Sequence, residues 1–194
     1  MLSIALILKL IVGCWNVFAL VWLMAMAFTK RTVKRESRRS RLRYWLFCVL
    51  AFWLLSGAFR HSQTSLIGHR ILPQSVTLGF IGLVLTVLGL LLAIWARVTL
   101  GANWSATVTF KENHELVQRG PYAFVRHPIY SAMLLMFFGT ALAVGTVGGL
   151  LGFPILLLSF WTKYRQEEAL MIEQFGDQYR TYMGKVHALI PLFF

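Results

Sequence analysis

Two polar stretches of this sequence are dense in side chains that can bind a ligand or take part in a reaction. They cover residues 97–127 and 163–194. Pro128 fits the opening position of a helix, which leaves His127 near the N-cap. Helix N-termini carry partial positive charge and free N–H groups, so Arg126 and His127 form an anion-binding corner suited to a carboxylate. An interfacial anchor at a helix start is the alternative interpretation of Arg126.

The second stretch centres on two adjacent acids, Glu167 and Glu168, in a chain with only 7 acidic residues. If the preceding apolar stretch continues as a helix, Lys163 and Glu167 lie on one face at i, i+4. As an exposed ion pair they would contribute at most about 0.3 kcal/mol. Two alternatives stay open: the carboxylates are solvated surface groups, Glu168 in particular, or one of them holds a cationic ligand group.

Several other chemistries lack their sequence signals. The chain has no GxGxxG, GxxxxGK[ST] or GxSxG pattern, which argues against Rossmann, P-loop and serine hydrolase sites. Its two cysteines form no CxxC pair, and its five histidines have no metal-type spacing. We therefore expect no metal.

The composition indicates what positions these residues. Hydrophobic residues make up 58% and charged residues 13% of the 194 residues, and the net charge is +12. In soluble domains about a quarter of the residues are charged. Long uncharged apolar runs are typical of helices that cross a bilayer, not of the core of a small soluble domain. The composition excludes a disordered chain and a disulfide scaffold. The sequence predicts an integral membrane protein in contact with membrane lipids.

Four apolar stretches define the expected helices: residues 2–28, 44–59, 71–95 and 129–161. A helix crosses the hydrocarbon core with about 20 residues, so the first three fit one span each. The fourth is too long for one span. Its centre holds four glycines and a proline, which favour a helical hairpin over one long helix with a GxxxG packing face. The expected arms are 129–144 and 149–161, and the proline, Pro154, is expected in the first turn of the second.

The distribution of basic residues predicts the orientation. Eight of them lie in residues 30–43, which the positive-inside rule places in the cytoplasm. This run between two spans indicates topology and anionic lipid contact, so we expect no nucleic-acid partner. The expected fold is all-α with five transmembrane helices, the N-terminus outside and the C-terminus cytoplasmic. A two-helix segment, 1–70, would precede a catalytic core, 71–194, in which the hairpin brings both polar stretches to the cytoplasmic face.

Five short motifs in these stretches resemble those of one enzyme family. They are His-Glu-Leu-Val at 114–117, Gly-Pro-Tyr at 120–122, Arg-His-Pro-Ile-Tyr at 126–130, Glu-Glu at 167–168 and Phe-Gly-Asp-Gln-Tyr at 175–179. In order and spacing they are similar to the isoprenylcysteine carboxyl methyltransferase family. Phospholipid N-methyltransferases share much of the same pattern.

The resemblance implies a set of ligand-binding residues. S-adenosylmethionine is the implied methyl donor, with S-adenosylhomocysteine as product, in a pocket facing the cytosol. Lys163 is implied to lie near the methyl acceptor. The residues implied to line the donor site are His114, Glu115, Leu116, Val117, Tyr122, His127, Pro128, Ile129, Tyr130 and Glu167.

The implied reaction is methyl transfer to the C-terminal carboxylate of a prenylated cysteine, whose lipid chain enters from the bilayer. A sulfonium methyl is already activated and a carboxylate is already nucleophilic, so alignment of the reactants, worth about 7–11 kcal/mol, is the main task. We expect Glu167 to anchor the donor's ammonium and Arg126 to orient a carboxylate of acceptor or donor. The alternatives are a phospholipid N-methyltransferase, which needs a general base, and a non-enzymatic small membrane protein.

Overall fold

A computed structural model describes residues 3–27, 32–35, 38–60, 65–104, 109–111 and 116–190. Two short strands, Thr32–Arg35 (β1) and Thr109–Lys111 (β2), and two 3₁₀ turns, Gly101–Asn103 and Gly120–Ala123, accompany the helices. The α-helices in the described residues are Ile4–Met26 (α1), Arg38–Arg60 (α2), Val76–Leu100 (α3), Pro128–Val144 (α4), Val147–Phe175 (α5) and Asp177–Lys185 (α6).

The structure confirms an integral membrane protein built from helices. Within the part of the chain that the structure describes, α1, α3 and α5 are long and apolar enough to cross a bilayer, and α4 is a shorter apolar helix. Each predicted apolar stretch forms a helix, with bounds that differ by a few residues. The exception is the second arm of the hairpin, which continues as α5 to Phe175, so that Glu167 and Glu168 belong to that helix.

The helical hairpin is confirmed, and a single long helix over residues 129–161 is wrong. Gly145 ends α4 in the left-handed conformation, at φ +66°, where its N–H bonds the carbonyl of Ala141 at 2.8 Å. Thr146 then caps α5, because its hydroxyl accepts a hydrogen bond from the N–H of Gly149 at 3.3 Å. The expected place of Pro154 is wrong: because Thr146 starts the helix earlier, Pro154 lies inside α5.

Helices α3 and α4 pack against each other at a distance that only glycine permits. A Cβ on Gly82 would lie 2.4 Å from the carbonyl oxygen of Gly139, and a Cβ on Gly89 would lie 2.7 Å from that of Ala132. These pairs run in opposite directions along the two helices, so α3 and α4 are antiparallel. Small residues at such crossings let membrane helices gain contact by van der Waals packing.

Helices α2 and α5 form a second antiparallel pair with the same kind of contact. A Cβ on Gly148 would lie 2.6 Å from the carbonyl oxygen of Leu54, and one on Gly152 would lie 2.9 Å from that of Ala51. Further along, the Ser159 hydroxyl donates to the carbonyl of Tyr44 at 2.8 Å. The beginning of α2 therefore lies beside the polar part of α5.

Arg97 fixes the ends of α1 and α3 together. Its guanidinium is 4% exposed, donates to the carbonyls of Ala25 at 2.6 Å and Gly101 at 2.7 Å, and lies over the ring of Trp104. Since Ile4 contacts Gly79 at the other ends of these helices, α1 and α3 are parallel. We call the end of the bundle that holds Arg97 and the start of α4 the site end.

The strands add a small feature that the all-α prediction did not include. Thr32 pairs with Lys111 and Arg35 with Thr109, in antiparallel register with an irregularity between them. This pairing ties the connection between α1 and α2 to the connection between α3 and α4. Both connections therefore lie at the site end.

Candidate active site

The site begins at the N-terminus of α4. His127 occupies the N-cap and Pro128 the first helical position, as the sequence predicts, and the His127 carbonyl accepts the N–H groups of Tyr130 and Ser131 at 3.0 and 3.1 Å. The chain after α6 runs parallel to the residues that precede the helix. The N–H of His127 bonds the carbonyl of Ala188 at 2.9 Å, so the C-terminal segment closes over the start of α4.

Arg126 connects three parts of the chain. Its Nε donates to Oε1 of Glu168 on α5 at 2.7 Å, and its Nη1 donates to the carbonyls of Met183 and Val186. The alternative in which Glu168 is a solvated surface group is wrong, because the residue is only 4% exposed. Glu168 is the carboxylate that Arg126 orients within the described residues. A contact of Arg126 with a ligand's carboxylate stays a prediction.

His127 lies between the two carboxylates. Its Nε2 is 3.2 Å from Oε1 of Glu168, and its Nδ1 is 3.5 Å from Oε2 of Glu167. Burial alone lowers the pKa of His127, but the hydrogen bonds and charges of Glu167 and Glu168 outweigh it, so the pKa is raised above its ordinary value. A protonated imidazole here neutralises part of the paired negative charge.

Tyr130 holds the second carboxylate. Its hydroxyl donates to Oε1 of Glu167 at 2.6 Å, which is a charge-assisted hydrogen bond. The Tyr130 ring stacks on Phe160, with ring centroids 4.8 Å apart and an angle of 18° between the planes, and also faces His127. Glu167 is thereby fixed by a hydroxyl and an imidazole, and a carboxylate can accept further hydrogen bonds beyond these two.

Lys163 stands one helical turn before Glu167. Its Nζ lies 4.9 Å from the centre of the Tyr44 ring and 5.2 Å from that of Tyr130. Tyr44 comes from α2, so a helix outside the two polar stretches reaches the site.

Three further tyrosines surround the cluster. The Tyr182 hydroxyl donates to the carbonyl of Tyr122, which joins α6 to the 3₁₀ turn before α4. Burial raises the pKa of Tyr122 and Tyr179 well above the ordinary value, and it raises the pKa of Tyr182 to about 12. All three therefore stay neutral near pH 7.

The structure brings together five of the predicted site residues: Arg126, His127, Tyr130, Lys163 and Glu167. His114 and Glu115 lie outside the described residues. Of the remaining predicted residues, Leu116 and Val117 are half-buried, and Tyr122, Pro128 and Ile129 are buried.

Sequence reasoning missed the contributions of Glu168, Tyr44 and the carbonyls at the end of α6. Glu168 had a signal, since it is one of few acids and follows a candidate residue directly. The sequence signal for Tyr44 was weak, because it consisted only of the position of this residue at the boundary between a basic run and an apolar stretch. The carbonyls had none, because any residue supplies a carbonyl.

Comparison with known proteins places the cluster in a family. A model of the phospholipid methyltransferase family (PEMT) matches residues 78–178, slightly more than half of the chain. The chain belongs to the phospholipid methyltransferase family. The matched segment contains Arg126, His127, Tyr130 and both glutamates, and it excludes Tyr44 and the C-terminal segment.

Individual relatives agree with the resemblance seen in the motifs. The protein-S-isoprenylcysteine O-methyltransferase of Schizosaccharomyces pombe is 37% identical over 122 residues, which cover 61% of this chain and 50% of that protein. Methanethiol S-methyltransferase 1 of Bradyrhizobium diazoefficiens is 40% identical over 70 residues, which cover 36% of this chain and 24% of that protein. The chain thus spans half or less of the length of these relatives.

A solved structure supports the same relationship. The eukaryotic intramembrane Ras methyltransferase ICMT (isoprenylcysteine carboxyl methyltransferase) is similar in fold, with a TM-score of 0.54 and 27% identity. The similarity covers 77% of this chain and 52% of that one. Together with the curated relatives it confirms the resemblance to isoprenylcysteine carboxyl methyltransferases.

Proposed function

We propose that this protein transfers a methyl group from S-adenosylmethionine to the C-terminal carboxylate of a prenylated cysteine and forms a methyl ester. The observation that carries the proposal is the hydrogen-bonded arrangement of Glu167, His127 and Tyr130 at the site end. It lies in the segment that matches the family, and the relatives named for this reaction support it. The acceptor is a lipid-bearing molecule, which accounts for a site at the end of a membrane helix bundle.

The residues of the cluster fit the proposed donor. Glu167 presents a fixed carboxylate to an amino-acid ammonium. Ile129 belongs to the same apolar core as Tyr130, and Val117 packs against that core. When bound, the donor supplies an activated methyl group that needs no metal or redox chemistry from the protein.

Each residue then has a physical task. Glu167 holds the ammonium, and Tyr130 and His127 fix the Glu167 carboxylate in place. Arg126 holds Glu168 and the C-terminal segment, and through them the position of His127. Lys163 pairs with the acceptor carboxylate. Because that carboxylate is ionised at neutral pH, catalysis rests on alignment of the two reactants and exclusion of water.

We further propose five membrane spans, with the N-terminus outside and the site end in the cytoplasm. The alternating directions of α1 to α5 and the basic residues between α1 and α2 support this orientation. In a variant without native cysteines, a cysteine at Ser3 should react with a membrane-impermeant thiol reagent on intact cells. One at Gly184 should react only after permeabilisation. The reverse pattern would contradict the orientation.

Donor binding tests the proposed role of Glu167. Calorimetry in detergent should show that Glu167→Gln weakens S-adenosylmethionine binding more than tenfold, because a charged hydrogen bond to the ammonium is lost. The matched control is Glu173→Gln, an exposed glutamate on the same helix, which should bind as wild type does. Equal affinity in wild type and Glu167→Gln would refute the assignment.

A second acceptor, a phospholipid amine, is favoured by the description of the family model. An amine must lose a proton before it attacks, whereas a carboxylate is already ionised. The two acceptors therefore differ in their pH–rate profiles. Titration of His127 affects both reactions, so the two profiles are compared with each other: the rate of N-methylation should rise more steeply with pH between about 6 and 8 than the rate of methyl-ester formation.

A further inference from the structure

Two aromatic rings from different helices bracket the ammonium of Lys163. Tyr44 lies on α2 and Tyr130 on α4, while Lys163 itself lies on α5. We propose that Tyr44 is a positioning residue that directs Lys163 toward the acceptor carboxylate, so that α2 completes the acceptor side of the site. This inference rests on the proposed function and deepens it.

Tyr44 and Tyr130 have different roles in the site. Tyr130 already has a partner on the donor side, because its hydroxyl bonds Glu167. Tyr44 presents its ring to the same Nζ from the neighbouring helix, at 4.9 Å. An ammonium over an aromatic face is attracted to the ring and loses little of its ability to pair with an anion beside the ring. The two rings therefore fix the place of the charge.

Backbone contacts between α2 and α5 fix the position of Tyr44. The residue is only 2% exposed, and its carbonyl accepts the Ser159 hydroxyl one helical turn before Lys163 on α5. Further along, Gly148 and Gly152 touch the backbone of α2 so closely that neither helix can slide without a clash. The register between α2 and α5 thus places this ring beside this lysine.

Tyr44 also lies outside the residues that match the family model, which begin at residue 78. The helix that carries it therefore does more than anchor the chain in the bilayer. Because Tyr44 on α2 positions Lys163, acceptor recognition depends on the N-terminal part of the molecule. Donor binding, which uses Glu167 and Tyr130, stays within the matched segment.

Enzyme kinetics of the 194-residue protein in detergent test whether Tyr44 affects the acceptor without affecting the donor. The acceptor is a farnesylated cysteine analogue. Tyr44→Leu should raise the KM for the acceptor by about 3–30-fold and leave the KM for the donor within twofold. Tyr44→Phe keeps the ring and should restore the acceptor KM to within about twofold of wild type. Trp53→Leu is the matched control, since it removes an outward-facing aromatic residue of the same helix.

A second measurement does not depend on the acceptor. Competitive acetylation, read by mass spectrometry, compares the reactivity of Lys163 with that of the exposed Lys185. Tyr44→Leu should raise the relative labelling of Lys163 severalfold, because one covering ring is gone, and Tyr44→Phe should not.

The outcomes distinguish the inference from the proposed function. If wild type methylates the analogue but Tyr44→Leu leaves both acceptor KM and Lys163 labelling unchanged, the positioning role is wrong. Equal increases in donor and acceptor KM, without rescue by Tyr44→Phe, would also overturn it. If wild type methylates no prenylcysteine, the proposed function fails, and the labelling result alone decides whether Tyr44 positions Lys163.

Discussion

Arg126 and Glu168 are 42 residues apart in the sequence, yet Nε of the first lies 2.7 Å from Oε1 of the second. The hairpin of α4 and α5 makes this contact possible, because it returns the chain to the level at which it entered. The same guanidinium also holds two carbonyls of the C-terminal segment. One side chain thus joins the residue before α4, the polar part of α5 and the C-terminal segment.

Loss of the contact between Arg126 and Glu168 should lower the stability of the protein. Arg126→Met removes the closer of the two cationic partners of the buried Glu168 carboxylate and leaves only His127, so it should lower the free energy of unfolding by up to about 3–5 kcal/mol. Unfolding in detergent, followed by tryptophan fluorescence, measures the change. The double variant with Glu168→Leu should recover part of the loss. Arg180→Met is the control, because its ion pair with Asp177 is solvent-exposed and contributes little. Equal losses for Arg126→Met and Arg180→Met would contradict a structural role of the buried pair.

Stability should fall as the pH rises through the titration of His127. The pKa of folded His127 is raised above its ordinary value of about 6.5 by two carboxylates. The stabilisation by the protonated imidazole is therefore complete below the unfolded pKa and is lost as the pH rises through the folded pKa. Melting temperature without donor, measured from pH 6 to 9, reports this loss. His127→Gln should remove the dependence, and an unchanged pH profile in this variant would assign it to another group.

The sequence predicted the elements better than their contacts. Gly145 and the neighbouring glycines indicated the hairpin, and Pro128 indicated a helix start with His127 as its cap, because both signals are local backbone preferences. Glu168 differs, since adjacent helical residues point about 100° apart and the sequence left open that Glu168 is a solvated surface group. Both glutamates meet His127 only because the imidazole lies between them.

The sequence could not predict that α2 contributes a residue to the site. The place of Tyr44 beside Lys163 depends on the register between two helices that are distant in sequence. That register follows from close packing at Gly148 and Gly152, a GxxxG pair that indicates a close helix contact but does not identify the partner helix. The β1–β2 pairing was missed in the same way, because strands of three and four residues leave too short a pattern to predict.

Gly82→Ala should destabilise the protein. Its new Cβ would lie 2.4 Å from the carbonyl oxygen of Gly139, so α3 and α4 would have to move apart. We expect a loss of about 1–3 kcal/mol in the unfolding assay. Gly13→Ala is the matched control: a Cβ at that position would have no contact within 4 Å, and alanine favours a helix interior. If both variants lose stability equally, close packing of α3 on α4 is not the cause.

Tyr130→Phe should weaken donor binding more than it weakens the fold. The variant keeps the stacked ring and removes the 2.6 Å hydrogen bond to Glu167, so we expect about a tenfold loss of S-adenosylmethionine affinity. Tyr182→Phe removes a hydrogen bond to the Tyr122 carbonyl and should instead lower stability with little effect on affinity. Calorimetry and thermal unfolding of the two variants should therefore show opposite patterns. The same pattern in both would argue against Tyr130 acting through Glu167.

The most direct test is a methylation assay with purified protein and radiolabelled S-adenosylmethionine. A farnesylated cysteine analogue and phosphatidylethanolamine are offered side by side, with Glu167→Gln as the negative control. We predict a base-labile methyl ester on the farnesylated cysteine, little label on the phospholipid, and loss of both in the variant. Labelling of phosphatidylethanolamine alone, or equal labelling by wild type and Glu167→Gln, would contradict the proposed function.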